Sequence, residues 1–152
     1  MTTRGEKTVL VHVPLVDFWQ TITDYLAYPK ILDDVKTATI VERTEREAVV
    51  AFTIKVLLKG FDYTLRMSEE PPGPDGSKAA LTWTMVSSST LAQNDGGWRL
   101  EKVDDGTTRV TYWNELASKG FLPKSFINGL VRIALPSMLK RWTSFAEGRA
   151  KG

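Results

Sequence analysis

Between Glu47 and Ala117 the apolar residues of this chain recur at every second position, and beyond Pro123 they recur every three to four. That change of period constrains the fold more than any other feature. A strand points successive side chains to opposite faces, whereas a helix gathers every third or fourth onto one stripe. The first stretch therefore predicts strands with one apolar and one polar face, and the second a single long amphipathic helix. Glu47–Leu58 sets Val50, Phe52, Ile54, Val56 and Leu58 on one face. Lys59-Gly60 turns the chain, and Phe61–Met67 returns with Phe61, Tyr63, Leu65 and Met67 together. The run from Glu69 to Gly76, rich in proline and glycine, reads as a hairpin loop. Ala79–Val86 follows with Leu81, Trp83 and Met85 on a common face. Leu91–Val103 contains Gly96-Gly97, which marks either a bulge or a turn. Asp104-Asp105-Gly106 is a hairpin turn, and Arg109–Ala117 closes the set with Val110 and Tyr112 inward.

Ahead of these strands, Thr8–Val13 reads as a strand that Pro14 ends. Val16–Thr23 is a short helix, Asp24 is placed to cap a second one, and Pro29 breaks or restarts it. Val35–Arg43 is a further strand. The final helix runs from Pro123 to about Arg149, with a kink or break expected at Pro136. Clean alternation means one sheet face is buried, and the last helix is the only element large enough to cover it. The expected architecture is α+β: a curved antiparallel sheet of seven strands wrapped around a long C-terminal helix, with two short helices between the first and second strands. A bent sheet gripping one helix leaves space between them. The parity count assigns Phe52, Ile54, Tyr63, Leu65 and Met67 to its lining from the first hairpin. Trp83, Met85, Trp98, Leu100 and Tyr112 follow from the later strands, and Leu130 and Met138 from the helix. Asn114 shares the parity of Val110 and Tyr112, and an inward amide needs partners. The cavity is expected to be continuous, with no ion pair inside. Gly120-Phe121-Leu122-Pro123, leading from the last strand into the helix, is expected to form part of a mouth.

Composition narrows the function classes. The 152 residues fit one domain spanning 1–152. With no cysteine there is no disulfide framework, no thiolate zinc site and no thiol nucleophile, which suits a reducing, cytoplasmic setting. The N-terminus lacks an apolar signal core, and no apolar run approaches the roughly 20 residues that span a bilayer, so stable membrane insertion is not expected. Lys and Arg number 20 against 18 Asp and Glu, a net charge of +2 too small to point to nucleic acid. Lys140, Arg141, Arg149 and Lys151 form the densest basic group, on the solvated face of a helix end. Oligomeric state is left open.

Three groups of residues resemble a known family. Val9-x-Val11-x-Val13-Pro14, Phe18-Trp19 and Asp24-Tyr25-x-x-Tyr28-Pro29 are similar to the opening of the START-like, or SRPBCC, superfamily. Gly97-Trp98-Arg99-Leu100-Glu101, Gly106-Thr107-x-x-Val110-x-Tyr112 and Leu122-Pro123 resemble its polyketide cyclase and coenzyme-Q-binding branch. The resemblance implies the helix-grip fold and a hydrophobic cavity. Its members bind lipids, quinones, steroids or polyketides, and some catalyse cyclisation and aromatisation. The aromatase/cyclases place an inward arginine on the strand after the first long hairpin and a tyrosine near the start of the second strand. In this chain the inward positions are Tyr63, Leu65 and Met67, Arg66 has the opposite parity, and the tyrosine position is occupied by Val35.

Motifs for chemistry are sparse. His12 is the single histidine, and its parity points away from Val9, Val11 and Val13, so neither a metal site nor a Ser-His-Asp triad is expected. No phosphate loop is present, and no cofactor is implied. The carboxylate pairs Asp33-Asp34, Glu69-Glu70 and Asp104-Asp105 fall in turns and read as solvated. The expected partner is a small hydrophobic molecule such as a lipid, quinone or polycyclic aromatic. An aromatase/cyclase using Tyr63, Tyr112 or Asn114 to polarise a carbonyl is the alternative. A protein-interaction module with a vestigial cavity is the third.

Overall fold

The computed structural model of the chain describes residues 2–56, 59–120, 124–129 and 135–151. Seven strands form one antiparallel sheet in the order β1-β7-β6-β5-β4-β3-β2. They are β1 Thr3–Val11, β2 Val35–Arg43, β3 Glu47–Val56, β4 Lys59–Glu70, β5 Lys78–Ser87, β6 Leu91–Asp104 and β7 Thr107–Ser118. Strands joined by short turns pair with their sequence neighbours, so β2 to β7 make one continuous meander. Helix α1 (Leu15–Ile22), a 3-10 turn (Tyr25–Ala27) and helix α2 (Tyr28–Ile31) carry the chain from β1 to the opposite edge. Helices α3 (Lys124–Gly129) and α4 (Leu135–Lys151) complete it.

Several boundaries differ from the sequence expectation. β1 begins at Thr3, because its backbone pairs with β7 from Thr3 opposite Leu116 to Val11 opposite Thr108, whatever its side chains. Val13 lies beyond the strand and is buried all the same. Asp24 does not cap the 3-10 turn; its carboxylate takes Arg149 of α4 at 3.0 Å. Gly96-Gly97 is neither bulge nor turn, since β6 runs straight through it and pairs on both sides. The glycines are there for space. A Cβ on Gly96 would stand 2.7 Å from Cζ2 of Trp83, and one on Gly97 would stand 2.6 Å from Cζ2 of Trp113. The two β6 register shifts fall near its ends, at Leu91/Gln93 and Lys102/Asp104.

The core lies between the concave sheet face and the helices. Helix α1 buries Leu15, Phe18, Trp19 and Ile22, the one-face spacing of an amphipathic helix. Phe18 meets Trp98 edge-on at 5.6 Å. Helix α4 buries Leu139, Trp142 and Ala146 and packs Met138 and Phe145 against them. Trp142 stands edge-on to Tyr28 at 4.9 Å and to Trp98 at 5.5 Å. Such aromatic pairs contribute about 0.5–1.5 kcal/mol each beyond their buried area. Pro136 lies in the first turn of the described part of α4, and residues 130–134 before it, where the expected kink would begin, lie outside the described residues.

Candidate functional site

A cavity of about 370 Å³ opens between the sheet and α4. Its volume is at the lower end of the range for small-molecule sites. β3 contributes Phe52 and Ile54, β4 contributes Tyr63, Leu65 and Met67, and β5 contributes Trp83. Trp98 comes from β6, Tyr112 and Asn114 from β7, and Met138 from α4. Two residues assigned to the lining by parity stand elsewhere. Leu100 is fully buried but sits opposite Val110, at the end of the sheet that α1 fills with Phe18. Met85 is half-buried against the core and outside the lining. The β5–β6 ladder stops at Trp83 opposite Gly96, and beyond it Met85 N donates instead to Asp95 Oδ1 at 3.2 Å. Leu130 lies outside the described residues.

The structure adds lining beyond the residues assigned to it from sequence. Tyr28, Leu32 and Val35 come from α2 and the start of β2, and Phe61, Leu91 and Leu116 close the ends. Trp142 faces in from α4. Asn94 also lines the cavity. It shares the parity of Trp98, so counting back by twos through the glycines would have found it. The opening among the described residues is between Asp33 and Asp34, after α2, and Ser137 and Arg141 on α4. Arg141 Nη1 meets Asp33 Oδ2 at 2.7 Å across it. Of the mouth expected from sequence, Gly120 is exposed at φ +56°, and Phe121 to Pro123 lie outside the described residues.

Behind these carboxylates the described lining is apolar and aromatic, with four polar side chains besides Tyr28. Tyr28 donates its hydroxyl to Ile22 O at 2.6 Å and is spent on structure. Asn94 Oδ1 accepts Trp83 Nε1–H at 3.3 Å. Tyr63 lies between Phe52 and Phe61, with ring centroids 5.6 and 6.2 Å away. Tyr112 lies against Trp98 at 4.7 Å and Trp83 at 5.7 Å. Burial pushes both tyrosine pKa values well up, against an opposing pull from Asn94 on Tyr63 and from Asn114 on Tyr112. Both phenols are thus protonated donors at neutral pH. Asn114 is 9% exposed, and its Oδ1 is buried with no hydrogen-bond partner.

Glu69 corrects the reading of the acidic pairs. It belongs to β4 rather than to a loop and is 8% exposed. It accepts Tyr25 O–H at 2.5 Å and holds Arg43 through both carboxylate oxygens, at 2.5 and 3.0 Å. The cluster stands behind Tyr28, outside the cavity lining, and joins the 3-10 turn to β2 and β4. Arg66 points outward, half exposed, with Glu47 at 3.6 Å. His12 is exposed, and its backbone N–H donates to Glu147. Among the described residues no group of three or more His, Asp or Glu is placed to hold a metal, and no helix is long and apolar enough to cross a membrane.

Residues 11–143 match the model of the family described as polyketide cyclase / dehydrase and lipid transport. No curated protein matches the chain by sequence. Among solved structures, the fold is similar to that of the ZhuI aromatase/cyclase from Streptomyces sp. R1128, with a TM-score of 0.69 at 20% identity over 99% of this chain and 91% of that one. A STAR-related lipid transfer protein from Xanthomonas axonopodis superposes with a TM-score of 0.80 at 18% identity, covering 93% of this chain and 84% of that one. A START superfamily protein from Mycobacterium smegmatis gives 0.72 at 13% identity, covering 97% of each. At such identities the structural likeness establishes the fold, the helix-grip arrangement of a seven-stranded sheet around a C-terminal helix. The sequence match, which runs from the end of β1 into α4, makes this chain a member of the polyketide cyclase / dehydrase and lipid transport family.

Proposed function

We propose that this protein binds a small ring-bearing hydrophobic molecule, a quinone or polycyclic aromatic in preference to a long-chain lipid, inside the cavity between sheet and α4. The observation that carries this reading is the cavity itself: about 370 Å³ walled by Tyr28, Phe52, Tyr63, Trp83, Trp98, Tyr112 and Trp142. Rigid aromatic walls lose little entropy when they grip a flat ligand, and the modest volume suits a compact one. An enzyme of the cyclase type is the second reading, supported by the protonated Tyr63 and Tyr112 hydroxyls, which suit carbonyl polarisation. It is the weaker one. Proton abstraction needs a base near the ligand, and the described carboxylates of the lining, Asp33 and Asp34, stand at the opening.

Three tryptophans in the wall make binding visible. Titration with menadione or anthraquinone is expected to quench tryptophan fluorescence saturably. Leu65→Trp, which fills the cavity from β4, is expected to abolish that response in a folded protein. Unsaturable quenching by every ring compound, together with a bare protein mass in native mass spectrometry of each preparation, would refute the reading.

A further inference from the structure

We infer that the bound molecule carries a hydroxyl donor accepted by Asn114 Oδ1, so that the pocket selects a hydroxylated ring over the same ring bare or capped as an ether. This rests on the proposed binding function and specifies its ligand.

The inference starts from the neighbours of Asn114. In the sheet it pairs with Gly5 of β1 on one side and Gly96 of β6 on the other. Neither has a side chain, so the directly opposite positions offer the amide no partner. Along β7 its same-face neighbours are Tyr112 and Leu116. Leu116 has no donor. Asn114 itself lines the cavity beside Tyr112, whose pKa its side chain pulls down. The oxygen is buried and unpaired. Asn94 provides the contrast on the neighbouring strand: its Oδ1 is satisfied within the protein by Trp83 Nε1–H.

Buried amide oxygens are rarely left unpaired in folded proteins. The oxygen is already closed to solvent, and a molecule held in the cavity beside Asn114 is a source of the donor it lacks. A ring hydroxyl does so; an ether oxygen or a C–H edge does not. The Tyr112 and Tyr63 hydroxyls are donors themselves, so they complement an acceptor elsewhere on the ligand, such as a carbonyl. The recognition pattern is therefore one acceptor and two donors in an apolar aromatic box. A compact hydroxyketone fits it, and a hydrocarbon does not.

The test uses a matched pair, 6-acetyl-2-naphthol and its methyl ether, titrated into the full chain at neutral pH by calorimetry. The wild type is expected to bind the naphthol roughly tenfold tighter or more, the usual consequence of leaving a buried acceptor unpaired. In Asn114→Leu the two affinities are expected to converge to within about twofold, through weaker naphthol binding and unchanged or tighter ether binding. Asn114→Ala, which also removes the acceptor, gives the same expectation if the leucine variant does not fold. Equal affinities in the wild type, or a tighter ether, would overturn the inference and leave the binding function standing. A naphthol preference that persists in both variants would overturn it too, because another group would then be the acceptor. Binding of neither compound, with no ring compound quenching fluorescence, would refute the inference and the binding function together.

Discussion

All four tyrosines of the chain, Tyr25, Tyr28, Tyr63 and Tyr112, have pKa values raised above the ordinary 10.0, each with burial as the largest cause. Tyr25 is raised further by its hydrogen bond to Glu69. This predicts a fold that fails abruptly in alkali. A phenol that ionises in the unfolded chain near pH 10 but stays protonated in the native one contributes stability that is complete below that pH and is lost as pH rises toward the native value. At about pH 11 each such tyrosine has lost about 1.4 kcal/mol, and the four together about 5–6 kcal/mol. Domains of this size are stable by about 5–15 kcal/mol, so unfolding is expected within one to two pH units above 10. The assay follows tyrosinate absorbance and far-ultraviolet circular dichroism through an alkaline titration. Both signals are expected to change together in one steep transition, because a tyrosine ionises only when the fold opens. Tyr63→Phe, which removes one titrating group, is expected to flatten the fall in stability above pH 10 by about a quarter. Tyrosinate absorbance rising gradually around pH 10 while the dichroism stays native would refute the reasoning.

Two further outcomes follow from packing. Glu69→Leu removes the acceptor of the buried Tyr25 hydroxyl and frees a half-exposed Arg43, and is expected to cost about 2–3 kcal/mol in urea unfolding. Tyr25→Phe should cost clearly less in that background than in the wild type, and equal costs in the two backgrounds would show that the pair is not coupled. Gly96→Ala is expected to destabilise by about 1–3 kcal/mol as its Cβ meets the Trp83 ring, whereas Gly148→Ala, on α4 with nothing within 4 Å, is expected to stabilise by about 0.5–1 kcal/mol. Urea midpoints moving the same way in both glycine variants would contradict this account.

The sheet and most of its inner face were legible because alternation is a local signal. Phe52, Ile54, Tyr63, Leu65 and Met67 follow from a count of two along two strands, and the structure puts all five in the lining. The count failed where something outside the strand decided the outcome. Leu100 has the right parity, but α1 covers its end of the sheet. Met85 has it too, but its strand has parted from β6 by then. Glu69 sits beside Glu70-Pro71-Pro72 and looks like loop. It becomes a buried carboxylate only because the β2–β3 and β3–β4 pairings bring Arg43 to it and the 3-10 turn brings Tyr25. Partners separated by 26 and 44 positions leave no pattern in a single sequence. The Asp33–Arg141 pair at the opening was not legible for a related reason. Asp33 and Arg141 meet across more than a hundred residues, and neither lies in a periodic run that would point to the other.

Gly96 joins the packing of this sheet to the chemistry of its cavity. The bare backbone at that position lets the Trp83 ring lie close over β6, and Trp83 in turn fixes Asn94 by donating to its oxygen. The same bare position faces Asn114 across the β6–β7 ladder and gives it nothing to bond. One missing side chain therefore seats an aromatic wall, satisfies one asparagine and leaves its neighbour unsatisfied. A sheet selected for close packing alone would have had no reason to keep an amide at 114, where Val or Leu would cost less on burial. An asparagine held between two glycines, with its oxygen buried and unpaired beside an apolar cavity, makes physical sense when the missing donor arrives with the ligand.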